Sequence, residues 1–284
     1  MKKIIAALAV PLFLSLVACG GGDDSGPASS GPAIKLTYSG MPLVATQRAR
    51  AMAAATDVSS SASASSIPAD DVQPTIAALQ DAFKARGADI AVYPSVVNGS
   101  KLHDIVMSEN NGVGPTSAEV AAANANISTW TLVNFEFDDM RGYIDTPEKR
   151  AMVEQFRRDI KVYRDREYMK GNIVFVPLPL GTCLPTRADA PTAVQALTDI
   201  ARTVGAFNYE SMAVPPAADP AHMGADCQSP DDVARQAYFD HIVDFLLVHY
   251  NTALDTINKC KYNPESIPEE GRWAQCWGIE PVKK

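Results

Sequence analysis

Apolar and polar positions divide this chain into three stretches. After Lys2 and Lys3, residues 4–17 are almost wholly apolar. At about 1.5 Å per residue such a run falls short of a hydrocarbon layer roughly 30 Å thick, so it is expected to be a secretory signal and not a spanning helix. Residues 20–32 are rich in Gly, Ser, Asp and Pro and have little to bury, which predicts a flexible tether. From residue 34 onward the apolar positions recur with strand and helix periods.

Residues 34–38 alternate and predict a first strand, stopped by Ser39-Gly40. A short helix is expected over 48–55, and the Ser/Ala run at 58–66 reads as a loop. Ile76, Leu79 and Phe83 have helical spacing within 72–86, with Gly87 as the stop. Residues 89–94 and 96–99 read as extended. Ser117 is placed as the cap of a helix over 118–127. Residues 129–137 form a buried strand. Thr146-Pro147-Glu148 opens a long helix that reaches Lys170, with Gly171 at its end. Residues 172–176 are a further strand, closed by Pro177 and Pro179. A helix over 190–204 and a short strand over 206–212 follow. Residues 231–260 form the last long helix, with Phe239, Ile242, Phe245, Leu246 and His249 along one face.

Strands alternating with helices predict an α/β fold, a three-layer α/β/α sandwich around a mostly parallel sheet. Ligands in such folds bind at the carboxyl ends of the strands. That rule puts Ser39, Gly99-Ser100, Asp138-Asp139, residues 177–183 and the 213–224 loop on one rim. The expected organisation is a signal at 1–18, a tether at 19–32, the α/β domain at 33–259 with a low-complexity loop at 58–68, and a disulfide-closed tail at 260–284.

The formal charge of −8 becomes about −10 once Lys2 and Lys3 are removed, leaving 23 basic against 33 acidic residues. No basic stripe exists to hold nucleic acid or an anionic lipid surface. Beyond Cys19 the chain has four cysteines, an even number that suits two disulfides in an exported protein. Of three possible pairings we favour Cys183–Cys227 and Cys260–Cys276, the second closing a loop of about 15 residues worth roughly 3 kcal/mol. A zinc site would need a CxxC or a histidine pair nearby, and neither is present.

The apolar run ends in Leu16-Val17-Ala18-Cys19. This string resembles the lipobox of bacterial lipoproteins. The resemblance implies cleavage before Cys19, acylation of that cysteine and a membrane anchor worth about 0.8 kcal/mol per buried CH₂. Gly20, where an Asp would retain the protein at the inner membrane, implies the outer membrane.

Four further stretches occur in a telling order. They are Asn110-Asn111-Gly112-Val113-Gly114-Pro115-Thr116-Ser117, Leu132-Val133-Asn134-Phe135-Glu136-Phe137-Asp138-Asp139, Asn172-Ile173-Val174-Phe175-Val176-Pro177, and Asp219-Pro220-Ala221-His222. Together they resemble the blocks of the SGNH/GDSL hydrolases, α/β esterases, lipases and carbohydrate deacetylases. The resemblance runs from roughly residue 110 to residue 250. It implies that His222 acts as general base, that Asp219 orients it, and that Gly114 and the Asp138 position serve the oxyanion. No Gly-Asp-Ser follows the first strand, so Ser39 is the positional nucleophile and Ser100 a second candidate. Glu136 and Asp138 replace glycine and asparagine of the third block. A carboxylate cannot donate to an oxyanion, and losing such a donor costs roughly 10²–10³ in rate.

Two functions are therefore expected to compete. One is a lipid-anchored serine ester hydrolase or deacetylase acting on acylated glycans or lipid esters, with no cofactor. The other is an inactive module of the same fold with a binding or structural role in the envelope. A third reading, in which His222 and carboxylates hold a metal, is weaker. His103-Asp104, His241, His249 and the Trp273/Trp277 pair read as structural.

Overall fold

The computed structural model describes residues 34–44, 72–95, 101–123, 129–135, 146–177, 180, 183, 212–213, 218–225, 227, 230–276 and 278–282. The expected elements at 48–55, 58–66, 96–99 and 190–204, and the signal and tether, lie outside them. Five strands, β1 (Ile34–Gly40), β2 (Ile90–Pro94), β3 (Thr129–Asn134), β4 (Asn172–Pro177) and β5 (Met212–Ala213), form one parallel sheet in the order β2-β1-β3-β4-β5. Among them run helices α1 (Gln73–Ala85), α2 (Leu102–Ser108), α3 (Ser117–Ala123), α4 (Pro147–Met169), α5 (Asp232–Tyr262) and α6 (Glu269–Gln275). The α/β class is thus as expected.

Strand alternation sorts the two faces. Ile34, Leu36 and Tyr38 of β1 join Trp130, Leu132 and Phe175 in one core, closed by Leu79 and Phe83 of α1 and by Ile242, Val243 and Leu246 of α5. The opposite face meets α4, where Phe135 stands edge-on to Tyr163 with ring centroids 5.5 Å apart. Helix α4 in turn packs against α2 and α3. Three layers result, with α1 and α5 on one face of the sheet and α4 on the other.

The ends of the helices follow local chemistry. The Thr146 hydroxyl accepts from the Lys149 N–H and Pro147 stands in the first turn of α4, as expected from the sequence. Helix α3 is capped differently from expectation. Thr116, not Ser117, accepts from the Glu119 N–H, while Glu119 accepts from the Thr116 N–H, a reciprocal capping box. The α5 helix runs through Cys260, which bonds to Cys276 beyond α6, so this disulfide locks the last two helices together. The Cys183–Cys227 pair is also bonded, so both favoured pairings are present. Replacing Cys260 and Cys276 by serine is expected to cost about 3 kcal/mol. A thermal melt lowered by roughly 6–12 °C would be the readout.

Candidate functional site

In a parallel sheet of order 2-1-3-4-5, the crevice opens at the carboxyl ends of β1 and β3, where successive crossovers leave in opposite directions. The register places Ser39 opposite Val133 and Gly40 opposite Asn134 there. Gly40 has φ +106°, and a Cβ on it would stand 2.3 Å from the Asn134 carbonyl oxygen. Glycine is therefore what lets the two backbones close. The turn beyond is fastened twice, by Met41 N–H to Asn134 O at 2.7 Å and by Asn134 Nδ2 to Met41 O at 2.8 Å. The Tyr38 hydroxyl donates to the same Met41 carbonyl. Burial pushes the Tyr38 phenol far up, so it stays protonated and remains a donor.

Ser39 is at this crevice but does not open into it. Tyr38 points into the α5-side core, so its neighbour Ser39 points to the α4 side, where it is 1 % exposed. Its Oγ faces the Tyr163 phenol, near enough to interact but without good hydrogen-bond geometry. Burial foremost and then Glu167 push the Tyr163 ionisation up, while its hydrogen-bonding contact with Ser39 acts against them. Ser39 Oγ is thus not hydrogen-bonded to His222.

His222 is held by a compact loop. Asp219 Oδ1 accepts from the Ala221 N–H at 2.9 Å and caps the 3₁₀ turn Pro220–His222. Met223 then bridges to Pro230 in antiparallel fashion, and the Asp231 N–H donates to the His222 carbonyl at 3.0 Å. That closure brings the Asp231 carboxylate onto the imidazole, Oδ2 to Nδ1, at 3.0 Å. The carboxylate hydrogen-bonded to His222 is thus Asp231, while the expected partner Asp219 caps its own turn and acts on the ring only through space. The Cys183–Cys227 disulfide ties the same loop to the chain leaving β4, with Cys183 N–H on Cys227 O at 3.0 Å.

Asp231 has two tasks. It is the N-cap of α5, with Oδ1 accepting from the Ala234 N–H at 2.9 Å. That bond first, and the His222 ring second, hold its carboxyl below the usual range. The ionised Asp231 in turn raises the His222 pKa above its ordinary 6.5, with Asp219 adding a smaller Coulombic push. With Nδ1–H directed at Asp231, Nε2 carries the acceptor lone pair of the ring. The side chains of His222 and Asp231 are 39 % and 47 % exposed, so water and ligands reach the pair.

The other predicted positions fall elsewhere. Gly114 lies against α4, where an added Cβ would be 2.9 Å from Val162 Cγ2. Asp138, Ser100 and Cys19 lie outside the described residues. No group of three or more His, Cys, Asp or Glu among the described residues is arranged to hold a metal. His249 packs on Phe175 and Phe245 with ring centroids 5.1 and 4.8 Å away, a core contact as expected. Two residues that shape this region carry a weaker signal in the sequence. Asp231 carried a legible helix-cap signal, but its partner is set by the loop closure. Asn134 ends a strand that was read, yet its clamp on Met41 depends on which strand lies beside β3.

No family model matches this chain, and no curated protein matches it. Among solved structures it is similar to the psychrotrophic esterase EstA from Pseudoalteromonas sp., in a crystal structure inhibited by monoethylphosphonate. The two are 13 % identical, with a TM-score of 0.42 over 76 % of this chain and 98 % of that one. Nothing is transferred from so loose a likeness, and the α/β class rests on the sheet order and layers described above.

Proposed function

We propose that this protein is an exported hydrolase of acyl esters whose general base is His222, oriented by Asp231. The observation that carries this reading is the 3.0 Å Nδ1–Oδ2 bond of an accessible His–Asp pair in the loop that leads into α5. His222 Nε2 removes a proton from a water molecule, whose oxygen adds to the ester carbonyl carbon. The tetrahedral intermediate expels the alcohol oxygen, which takes the proton back from Nε2–H. Acid and alcohol leave, and the imidazole is again neutral. In this reading Ser39 is not the attacking group, because its hydroxyl is enclosed between β1 and α4. Acylated glycans or lipid esters of a bacterial envelope are the substrates that fit a protein anchored through acylated Cys19, with the outer membrane as its place. Two disulfides support an oxidising compartment. No described helix is long and apolar enough to cross a membrane.

A second reading, a binding or structural module without turnover, is favoured by one observation. The nucleophile position predicted at Ser39 is sealed.

Hydrolysis of short-chain p-nitrophenyl esters by the full chain separates the two. The expected result is turnover that Ser39→Ala leaves intact, with no labelling of Ser39 by a fluorophosphonate. The same variant is expected to leave the melting temperature nearly unchanged, since the buried hydroxyl it deletes has only a poorly aligned contact with Tyr163. Loss of both turnover and labelling in Ser39→Ala would overturn the water mechanism. Absence of turnover in the folded wild type would leave the binding module.

A further inference from the structure

Away from the crevice, helices α2 and α4 enclose an open pocket of about 320 Å³. Val106, Met107 and Val162 supply an apolar side, and Arg157, Arg158 and Lys161 a cationic one. Gln155, the Asp159 carboxylate, and Asn111 and Gly112 from a turn of uncommon backbone complete the lining. Asn110, Asn111 and Gly112 are three successive residues with positive φ, +49°, +48° and +78°. A Cβ on Gly112 would meet Met107 Sδ at 2.6 Å and push that side chain aside, and its φ of +78° favours glycine. Strained backbone of this kind persists where its surroundings over-determine it, and it concentrates at ligand clamps.

What over-determines it is Arg166. Its buried guanidinium donates to Val106 O at 2.9 Å, Glu109 O at 2.6 Å and Val113 O at 2.9 Å, gripping the turn from both sides. No carboxylate among the described residues pairs with it, so its charge adds to the positive side of the pocket. Residues 154–166 hold five cations (Arg157, Arg158, Lys161, Arg164, Arg166) against three carboxylates (Glu154, Asp159, Asp165), in a chain whose net charge is −8. The carboxylates are already engaged. Glu154 holds Arg157, Asp165 holds Lys161 and Arg164, and the buried Asp159 holds His103 at 3.0 Å and Gln155 at 2.9 Å. Arg158 is the exception. Its nearest carboxylate is Glu154 at 3.9 Å, and its firm contact is the neutral Gln155 Oε1 at 3.0 Å.

We propose that this pocket binds a short-chain carboxylate, with the anionic head on the Arg158 guanidinium and the hydrocarbon along Met107 and Val162. A planar guanidinium without a close carboxylate matches a carboxylate's two oxygens. The apolar wall beside it selects a ligand with a tail over a bare anion. The site stands apart from the ester-hydrolysis reading and holds whether or not the crevice is catalytic.

The test is calorimetry on the full chain with hexanoate, hexanol and inorganic phosphate, together with the NMR signal of the Met107 methyl. Hexanoate is expected to saturate and shift that methyl, with hexanol and phosphate each at least about tenfold weaker. Arg158→Glu and Val162→Phe should each weaken hexanoate by about tenfold or more, with the far-UV circular dichroism unchanged. Added salt should weaken hexanoate but not hexanol. Equal binding of hexanol would overturn recognition of the head, and equal binding of phosphate would overturn the tail. Failure of hexanoate to saturate, or indifference to both substitutions, would remove the site. None of these results depends on ester turnover.

Discussion

His222→Ala is expected to lower ester turnover by about 10²–10⁴, the range over which a positioned general base acts. The physical reason lies in the loop and not in the histidine alone. An imidazole on an open loop samples many orientations, whereas here the Met223–Pro230 bridge and the Asp231 N–H bond to the His222 carbonyl fix the backbone on either side. The Asp231 carboxylate then selects one ring tautomer. Asp231→Asn should preserve the helix cap, because asparagine also accepts from the Ala234 N–H, yet weaken the hold on Nδ1–H. Removing a buried orienting carboxylate costs roughly 10⁴. Asp231 is half exposed and screened by water, so a smaller drop, on the order of 10–10², is expected. Initial rates on one ester, with circular dichroism to confirm folding, measure both.

Gly40→Ala is expected to have the largest effect on stability of any single methyl added to the described residues around the crevice. The glycine sits at φ +106°, a region costing an L-residue about 1–3 kcal/mol. The new Cβ would also be 2.3 Å from a backbone oxygen of β3, which cannot move without breaking the Met41–Asn134 bonds. Overpacking of that kind adds about 1–3 kcal/mol. The melting temperature should fall by on the order of 10 °C. An unchanged melt would mean that the β1–β3 exit can be reshaped freely, and that the crevice is not the rigid edge described above.

How much of this was legible in the sequence depends on how local each cause is. The strand at Thr129, the capped start of α4 at Thr146 and its stop at Gly171 were all readable, because a run of apolar residues, a cap and a glycine act within one turn. Helix α2 was not read. It is seven residues long, and Leu102 and Val106 are buried by contact with a helix that lies far along the chain. The capping box of α3 was written in the sequence as Thr116-x-x-Glu119, and the cap was assigned one residue late. Ser39 shows the limit of positional reasoning. Alternation along Ile34, Leu36 and Tyr38 already put it on the other face, but only the tertiary structure shows that Tyr163 closes that face. Likewise Asp219, three residues from His222, was the nearer carboxylate in sequence. The loop closure made Asp231 the nearer one in space.

The measurement that tests the central claim most directly is the pH–rate profile of ester hydrolysis for the wild type, Asp231→Asn and Asp219→Asn. His222 must be neutral to act as a base, and Asp231 stabilises its protonated form. The wild-type rate should therefore rise with pH through a midpoint above 6.5. In Asp231→Asn that midpoint should move down toward the ordinary histidine value, and in Asp219→Asn it should move much less. A midpoint that shifts with Asp219 and ignores Asp231, or a rate without a histidine inflection, would contradict the assignment of the His222–Asp231 pair as the base.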